Sequence, residues 1–120
     1  MAPHFFFFVG LAFILTHELD AIKQHEWRIF PLTFWLPEKQ GYLVFTVLHI
    51  FLFVPLFLAL YTTDGINKSL IRGLDIFFIV HVGLHLLLLA HPKNEFKSAF
   101  SWFLIVGAGL SGLSDLVLNS

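Results

Sequence analysis

The residues most able to do chemistry stand together at the end of the first apolar run. Residues 16–27 read THELDAIKQHEW. At helical spacing His17 and Asp20 share one face. Glu18 and His25, seven residues apart, share a neighbouring one. Because hydrocarbon solvates charges and imidazoles poorly, such side chains must face protein, water or a bound ion and not lipid.

Histidines recur in two later apolar segments, and together they indicate a metal site. His81 and His85 stand one helical turn apart on one face, the spacing that lets two imidazoles reach one ion. The chain has no cysteine, so its ligands must be nitrogen and oxygen. Iron, zinc, manganese and copper are candidates for such a site. The predicted metal ligands are His17, Asp20, His49, His81 and His85.

Two carboxylates are candidates for a further ligand or for a catalytic general base. Glu18 lies beside His17, and Glu95 lies near the start of the last apolar segment. With a metal nearby, either group suits a redox or hydrolytic step on a small membrane-soluble molecule. Hydrolysis by a Ser-His-Asp triad is not indicated, because no serine stands in an elbow motif.

Two other interpretations of these histidines stay open. In one, no cofactor is bound, and the imidazoles donate to carboxylates or backbone carbonyls inside a non-catalytic membrane scaffold or accessory subunit. In the other, haem b lies between two facing histidines drawn from His17, His49 and His85, with Gly83 leaving room for the ring. The only methionine is Met1, so haem would require two histidine ligands.

The composition predicts an integral membrane protein whose main partner is the lipid bilayer. Hydrophobic residues make up 58% of the 120 positions. Charged residues make up 12%, against about 25% in an average soluble domain. With a formal net charge of −1 and no cluster of Lys and Arg, the chain offers no surface for nucleic acid, which we exclude as a partner.

Four apolar segments have the length of about 20 residues that a helix needs to cross a bilayer. We therefore predict one multi-pass domain over residues 1–120, of the all-α class, folded as a four-helix transmembrane bundle. The segment 28–41, between the first two helices, is too short and Pro-interrupted to cross, and its aromatic residues favour an interfacial position. The predicted spans are 4–24, 42–61, 70–90 and 95–117.

The fourth span is distinguished by small residues that allow helix backbones to approach closely. We expect this face to pack inside the monomer, with a homo-oligomer or a partner helix as the alternative occupant. The small residues are Gly107, Ala108, Gly109, Ser111, Gly112 and Ser114.

Basic residues near the span ends predict the orientation of the protein in the membrane. Five of them flank the first-to-second and third-to-fourth connections, namely Lys23, Arg28, Lys39, Lys93 and Lys97. Only Lys68 and Arg72 flank the opposite side. Both termini are therefore predicted to lie outside the cytoplasm. Because the spans alternate in direction, the histidines of the first three would lie at one depth near the cytoplasmic face.

The motif THELDAIxxHEWRIFP at 16–31, with His49, VHxGLH at 80–85 and HPxxEF at 91–96, resembles a family of small bacterial four-span membrane proteins of unknown function. The resemblance extends over essentially the whole chain, and it implies the architecture without an activity. A looser likeness is to HXXEE membrane proteins, although Asp-Ala stands here where that motif has Glu-Glu.

Overall fold

The computed structural model describes residues 3–119, so Met1 lies outside the described residues. Within this range the chain forms four long α-helices: α1 Phe5–Lys23, α2 Glu38–Ala59, α3 Lys68–Leu87 and α4 Ala99–Leu118. Each helix is long and apolar enough to cross a membrane. The predicted all-α four-helix bundle is confirmed, and the chain has the helices of a multi-pass membrane protein.

Two irregular segments and one hairpin join the helices. Between α1 and α2 lies a 3₁₀ turn, Glu26–Arg28, among other turns. Between α2 and α3 an antiparallel hairpin pairs β1, Tyr61–Thr62, with β2, Gly65–Ile66. Gly65 has a φ of 113°, which a residue without a Cβ adopts at little steric cost. The hairpin thus returns the chain from the end of α2 to the start of α3.

Two helix starts differ from the starts of the predicted spans. Helix α2 begins at Glu38, with the extended Pro37 as its N-cap. Helix α4 begins at Ala99, because the Ser98 hydroxyl accepts a hydrogen bond from the amide of Ser101 at 3.0 Å and so caps the first turn. Glu95 consequently lies in the loop that joins α3 to α4.

Helix α4 packs closely against both α1 and α3 through its small residues. A Cβ at Gly107 would lie 2.5 Å from the Phe13 ring of α1. A Cβ at Gly112 would lie 2.6 Å from the backbone oxygen of Asp75 in α3. These positions require glycine because the neighbouring helices occupy the space. The small-residue face is therefore used inside the monomer, where we expected it to pack.

Helix α2 lies at the periphery of the bundle. Only 6% of the most apolar 18-residue stretch of α2 is buried, compared with 44% of the corresponding stretch of α4. It packs mainly on the 3₁₀ turn and on β1. At its first turns Gly41 and Phe45 are buried, and a Cβ at Gly41 would lie 3.0 Å from the Trp27 ring. The exposed apolar surface of α2 is suited to contact with lipid.

Candidate metal centre

Three histidines from two helices meet inside the bundle, and we call them the histidine triad. His17 of α1 is fully buried, and His81 and His85 of α3 are 8% and 4% exposed. The ring centroid of His81 lies 4.6 Å from each of the other two, which are 5.0 Å apart. One ligand atom from each residue lies within 4.8 Å of the others. Three imidazoles therefore surround a single point.

The helices position the triad through the spacing of their buried residues. On α3, Phe78 lies on the same buried face as His81 and His85. On α1, Gly10 lies on the face of His17 and allows close approach, because a Cβ there would lie 3.0 Å from the Phe78 ring. The periodicity that buries apolar residues on α1 and α3 thus turns the three imidazoles toward one another.

The nitrogens of the triad lack hydrogen-bond partners. Both ring nitrogens of His17, and Nδ1 of His81 and of His85, are buried without a partner among residues 3–119. A buried polar group left unpaired costs about 1–3 kcal/mol. Because native proteins pair nearly all such groups, four unpaired nitrogens at one place require an explanation, such as a bound ion.

A carboxylate absent from the predicted set also faces the triad. Oε2 of Glu26 lies 3.7 Å from Nε2 of His17, too far for a hydrogen bond, and has no hydrogen-bond partner in the described part of the chain. Burial raises the pKa of Glu26 to about 8, and the charges of Glu18 and Asp20 also raise it, while His49 acts in the opposite direction. Without a metal, Glu26 is therefore largely protonated at neutral pH.

Helical periodicity could not have placed Glu26 beside His17. At 3.6 residues per turn, two residues nine positions apart lie on opposite sides of a helix. In the structure α1 ends at Lys23, and His25 adopts a left-handed conformation with a φ of 54°. This conformation reverses the chain and brings Glu26 back under the helix end. The available signal was the repeated His-Glu pair at 17–18 and 25–26.

A surface cluster of charges holds this chain reversal in place. Nδ1 of His25 lies 2.9 Å from Oε2 of Glu95, in the loop before α4. Arg28 binds both Glu95, at 3.0 Å, and Glu38, at 2.7 Å. Glu95 is 37% exposed at its side chain. It therefore links two connecting segments at the surface and does not face the triad.

Two of the predicted ligands have partners elsewhere. Asp20 accepts a hydrogen bond from the Ser101 hydroxyl at 2.6 Å. His49 lies on α2, with Nδ1 2.7 Å from the backbone oxygen of Phe45 and Nε2 bonded to Glu18. The structure thus brings His17, His81 and His85 together, and it places Asp20, His49, Glu18 and Glu95 apart from them. Metal ligation and the catalytic roles of the two glutamates stay predictions.

The loop between α3 and α4 closes the site from one side. Phe96 is fully buried, with its ring centroid 4.6 Å from that of His85 and 5.4 Å from that of His17. The Asn94 side chain accepts a hydrogen bond from the amide of Phe96 at 3.2 Å and fixes this position. The aromatic cover excludes bulk water, which strengthens electrostatic interactions within the site.

The sequence matches the model of a family of unknown function, DUF6713, over residues 3–120. The chain belongs to this family. Membership agrees with the resemblance to a family of unknown function and assigns no activity, while the likeness to HXXEE membrane proteins stays a prediction. Comparisons with curated proteins and with solved structures give no match.

Proposed function

We propose that the histidine triad binds a transition metal ion. One observation carries this proposal: three buried imidazoles from two helices have ligand atoms within 4.8 Å of one another, and four of their nitrogens have no hydrogen-bond partner in the described chain. A metal ion would bind one nitrogen from each of the three imidazoles at once. Imidazole favours zinc, copper and iron among the common metals.

The same observation weighs against a purely structural hydrogen-bond network. A network that holds the bundle together needs donors and acceptors in contact with the imidazoles. Within residues 3–119, His17 has neither at hydrogen-bond distance. Asp20, on the same face of α1, is bonded to Ser101 instead, and Glu18 is bonded to His49. A scaffold would gain nothing from three unpaired imidazoles.

The geometry also favours an ion over haem b. A haem ligated by His17 and His85 needs a slot for the macrocycle between the two rings. His81 stands 4.6 Å from each of them and occupies that space. Gly83 does not open into the site, since a Cβ there would meet no described atom within 4 Å.

The metal would have three imidazole ligands and Glu26 beside them. Three protein ligands with an open position are typical of catalytic zinc sites, in which the ion activates a bound water or polarises a substrate. The carboxyl of Glu26 is positioned to release its proton when the metal binds and then to act as a fourth ligand or as a base. We propose a redox or hydrolytic step on a small membrane-soluble molecule.

We further propose that the triad lies near the cytoplasmic face of a bacterial inner membrane, with both termini outside the cytoplasm. The asymmetry of Lys and Arg supports this orientation. A reporter active only in the cytoplasm, fused after Ser120, is expected to be inactive. An active fusion would reverse the orientation and leave the triad unchanged.

Elemental analysis of the purified, detergent-extracted protein tests the metal. We expect a stoichiometric amount of one transition metal in the wild type and its loss in His85→Ala. The matched control is His49→Ala, which removes an imidazole outside the triad and should retain the metal. Substitution with Co²⁺ gives a second measurement, because its visible absorption reports the ligands and their geometry.

Two results would contradict the proposal. If the wild type carries no metal and takes up neither Zn²⁺ nor Co²⁺, the triad is not a metal site. If His49→Ala loses the metal as completely as His85→Ala, the ligand set includes α2, and the triad alone is the wrong site.

A further inference from the structure

The histidine triad is enclosed, so a metal ion reaches it only when part of the covering moves. His17, His81 and His85 are each at most 8% exposed. Next to them α4 lies tightly on α3, since a Cβ at Gly109 would lie 2.5 Å from the Val82 side chain. Helices packed in this way separate only with the loss of many contacts. The opening is therefore expected in a segment that is not helical.

The covering includes residues 88–98, between α3 and α4, which form neither helix nor strand. In this loop the Phe96 ring contacts two imidazoles of the triad, with its centroid 4.6 Å from that of His85 and 5.4 Å from that of His17. A phenyl ring has no ligand atom to offer a metal ion, so in this position it is a barrier. Outward movement of Phe96 would connect the triad with water.

Two tethers hold Phe96 in place. On the inner side, the Trp102 indole donates a hydrogen bond to the Phe96 carbonyl at 2.7 Å. On the outer side, the neighbouring Glu95 carboxylate lies 2.9 Å from His25 and 3.0 Å from Arg28. The side chains of this outer tether are 36–37% exposed, and ion pairs so exposed contribute little free energy. The outer tether can therefore open without the unfolding of a helix.

The closed position of the loop also leaves one polar group unsatisfied. Asn94 is 3% exposed, and Nδ2 of its side chain is buried without a partner among residues 3–119. The side-chain oxygen accepts from the Phe96 amide, which links the two residues. Opening of the loop would expose Nδ2 to water and recover its hydrogen bonds. This gain reduces the free-energy difference between the closed and the open loop.

We propose that residues 88–98 are the gate through which the metal ion enters and leaves the triad, with Phe96 as the barrier and the ion pairs of Glu95 as the latch. The inference rests on the proposed metal function and adds the route to that site. The latch sets how often the loop opens and leaves the ligands unchanged. A weaker latch therefore speeds uptake and release of the ion equally, and the affinity, which is the ratio of the two rates, stays the same.

Exchange of Co²⁺ in the detergent-extracted full chain tests the gate. Uptake is followed by the visible absorption of the bound ion, and release by the loss of this absorption after mixing with excess EDTA. Glu95→Gln keeps the size of the side chain and removes the charge that binds His25 and Arg28. We expect uptake and release each to become about fivefold faster, with the Kd unchanged within about twofold.

Two further variants sharpen this comparison. Glu38→Gln removes another carboxylate that binds Arg28, but Glu38 belongs to α2 and does not hold the loop, so both rates should stay at their wild-type values. Trp102→Phe removes the inner tether and keeps an aromatic ring, so both rates should rise.

Amide hydrogen exchange in the metal-free protein gives a second measurement of the latch. The amides of Asn94, Phe96 and Lys97 are hydrogen-bonded within the closed loop. They should exchange about fivefold faster in Glu95→Gln than in Glu38→Gln, because exchange follows the population of the open loop.

Four results would overturn this inference: wild-type uptake in both Glu95→Gln and Trp102→Phe, faster release without faster uptake, the same change of rate in Glu38→Gln, or loop amides that exchange no faster in Glu95→Gln. The metal centre is judged separately. A wild type that takes up no Co²⁺ at equilibrium contradicts the proposed function. A wild type that binds Co²⁺ at rates insensitive to Glu95 keeps the metal centre and removes the gate.

Discussion

The two ends of the bundle bury titratable groups between neighbouring helices, but only one end pairs them. At the end distant from the triad, Asp75 of α3 and Asp115 of α4 are each 1% exposed. Asp115 is 2.9 Å from Nδ1 of His4 and accepts a hydrogen bond from Asn119 at 3.0 Å. Only one oxygen there, Oδ1 of Asp75, is buried without a partner in the described chain, against four nitrogens at the triad.

The same contrast divides the seven histidines, all of which lie in the described range. Four of them contact a hydrogen-bonding group of the protein: His4, His25, His49 and His91. The other three form the triad. This fold can therefore supply partners to imidazoles wherever they lie, including the buried far end. The missing partners at the triad point to a ligand from outside the chain.

The largest expected effect is on metal-dependent stability. At free Zn²⁺ about 100 times its Kd, the free energy of unfolding should rise by about 2.7 kcal/mol. His85→Ala should show no rise, whereas His4→Ala should show the full rise from a lower starting value. Unfolding by SDS in mixed micelles, with and without Zn²⁺, measures both. If His4→Ala lost the metal response, the ion would bind at the far end and the comparison would fail.

The metal-free protein should respond in opposite directions at the two ends. His81→Leu replaces an unpaired buried imidazole by an apolar side chain of similar size, so the free energy of unfolding should rise by about 1–2 kcal/mol. His4→Leu removes the partner of Asp115, so the free energy of unfolding should fall by about 1–2 kcal/mol. The same unfolding assay in the presence of a chelator compares them. A loss of stability in both variants would support the structural network instead.

Much of the fold follows from local patterns that sequence makes visible. Four apolar segments of membrane length became four helices, and the small residues at Gly107 and Gly112 lie where helices meet closely. The i,i+4 pair His81 and His85 faces His17 because periodicity fixes which residues share a face. These features depend on the spacing of residues within a single helix, and this spacing can be read directly from the sequence.

The rest of the site depends on where helices end and how they pack, which the spacing of residues along the sequence does not reveal. His49 lies on α2, at the periphery of the bundle, and bonds Glu18 instead of facing the triad. Glu95 has the right chemistry, but the Ser98 cap starts α4 later and leaves it in a loop. Glu26 reaches the triad only through the left-handed turn at His25. Each depends on where a helix ends or on which elements it packs against, and periodicity determines neither.

The smallest expected effect is the pH dependence contributed by Glu26, the carboxyl group at the triad end. In the folded state the pKa of Glu26 is about 8, above the ordinary value of 4.5. Between about pH 4.5 and pH 8 the carboxyl group is therefore protonated in the folded state and ionised in the unfolded state. Its contribution to stability is therefore fully present below about pH 4.5 and is lost as the pH rises to about 8. Over one unit, from pH 6 to 7, the loss is at most about 1.4 kcal/mol.

Glu26→Gln should remove this slope in the metal-free protein, because glutamine keeps the shape of the side chain and does not ionise. The measurement is the free energy of unfolding at several pH values with a chelator present, with Glu38→Gln at the exposed surface cluster as the control. A protonated Glu26 carries no charge to compensate an imidazolium, which agrees with unpaired neutral rings in the triad. An unchanged slope in Glu26→Gln would place the ionised carboxylate beside His17 and give the triad a partner within the chain after all.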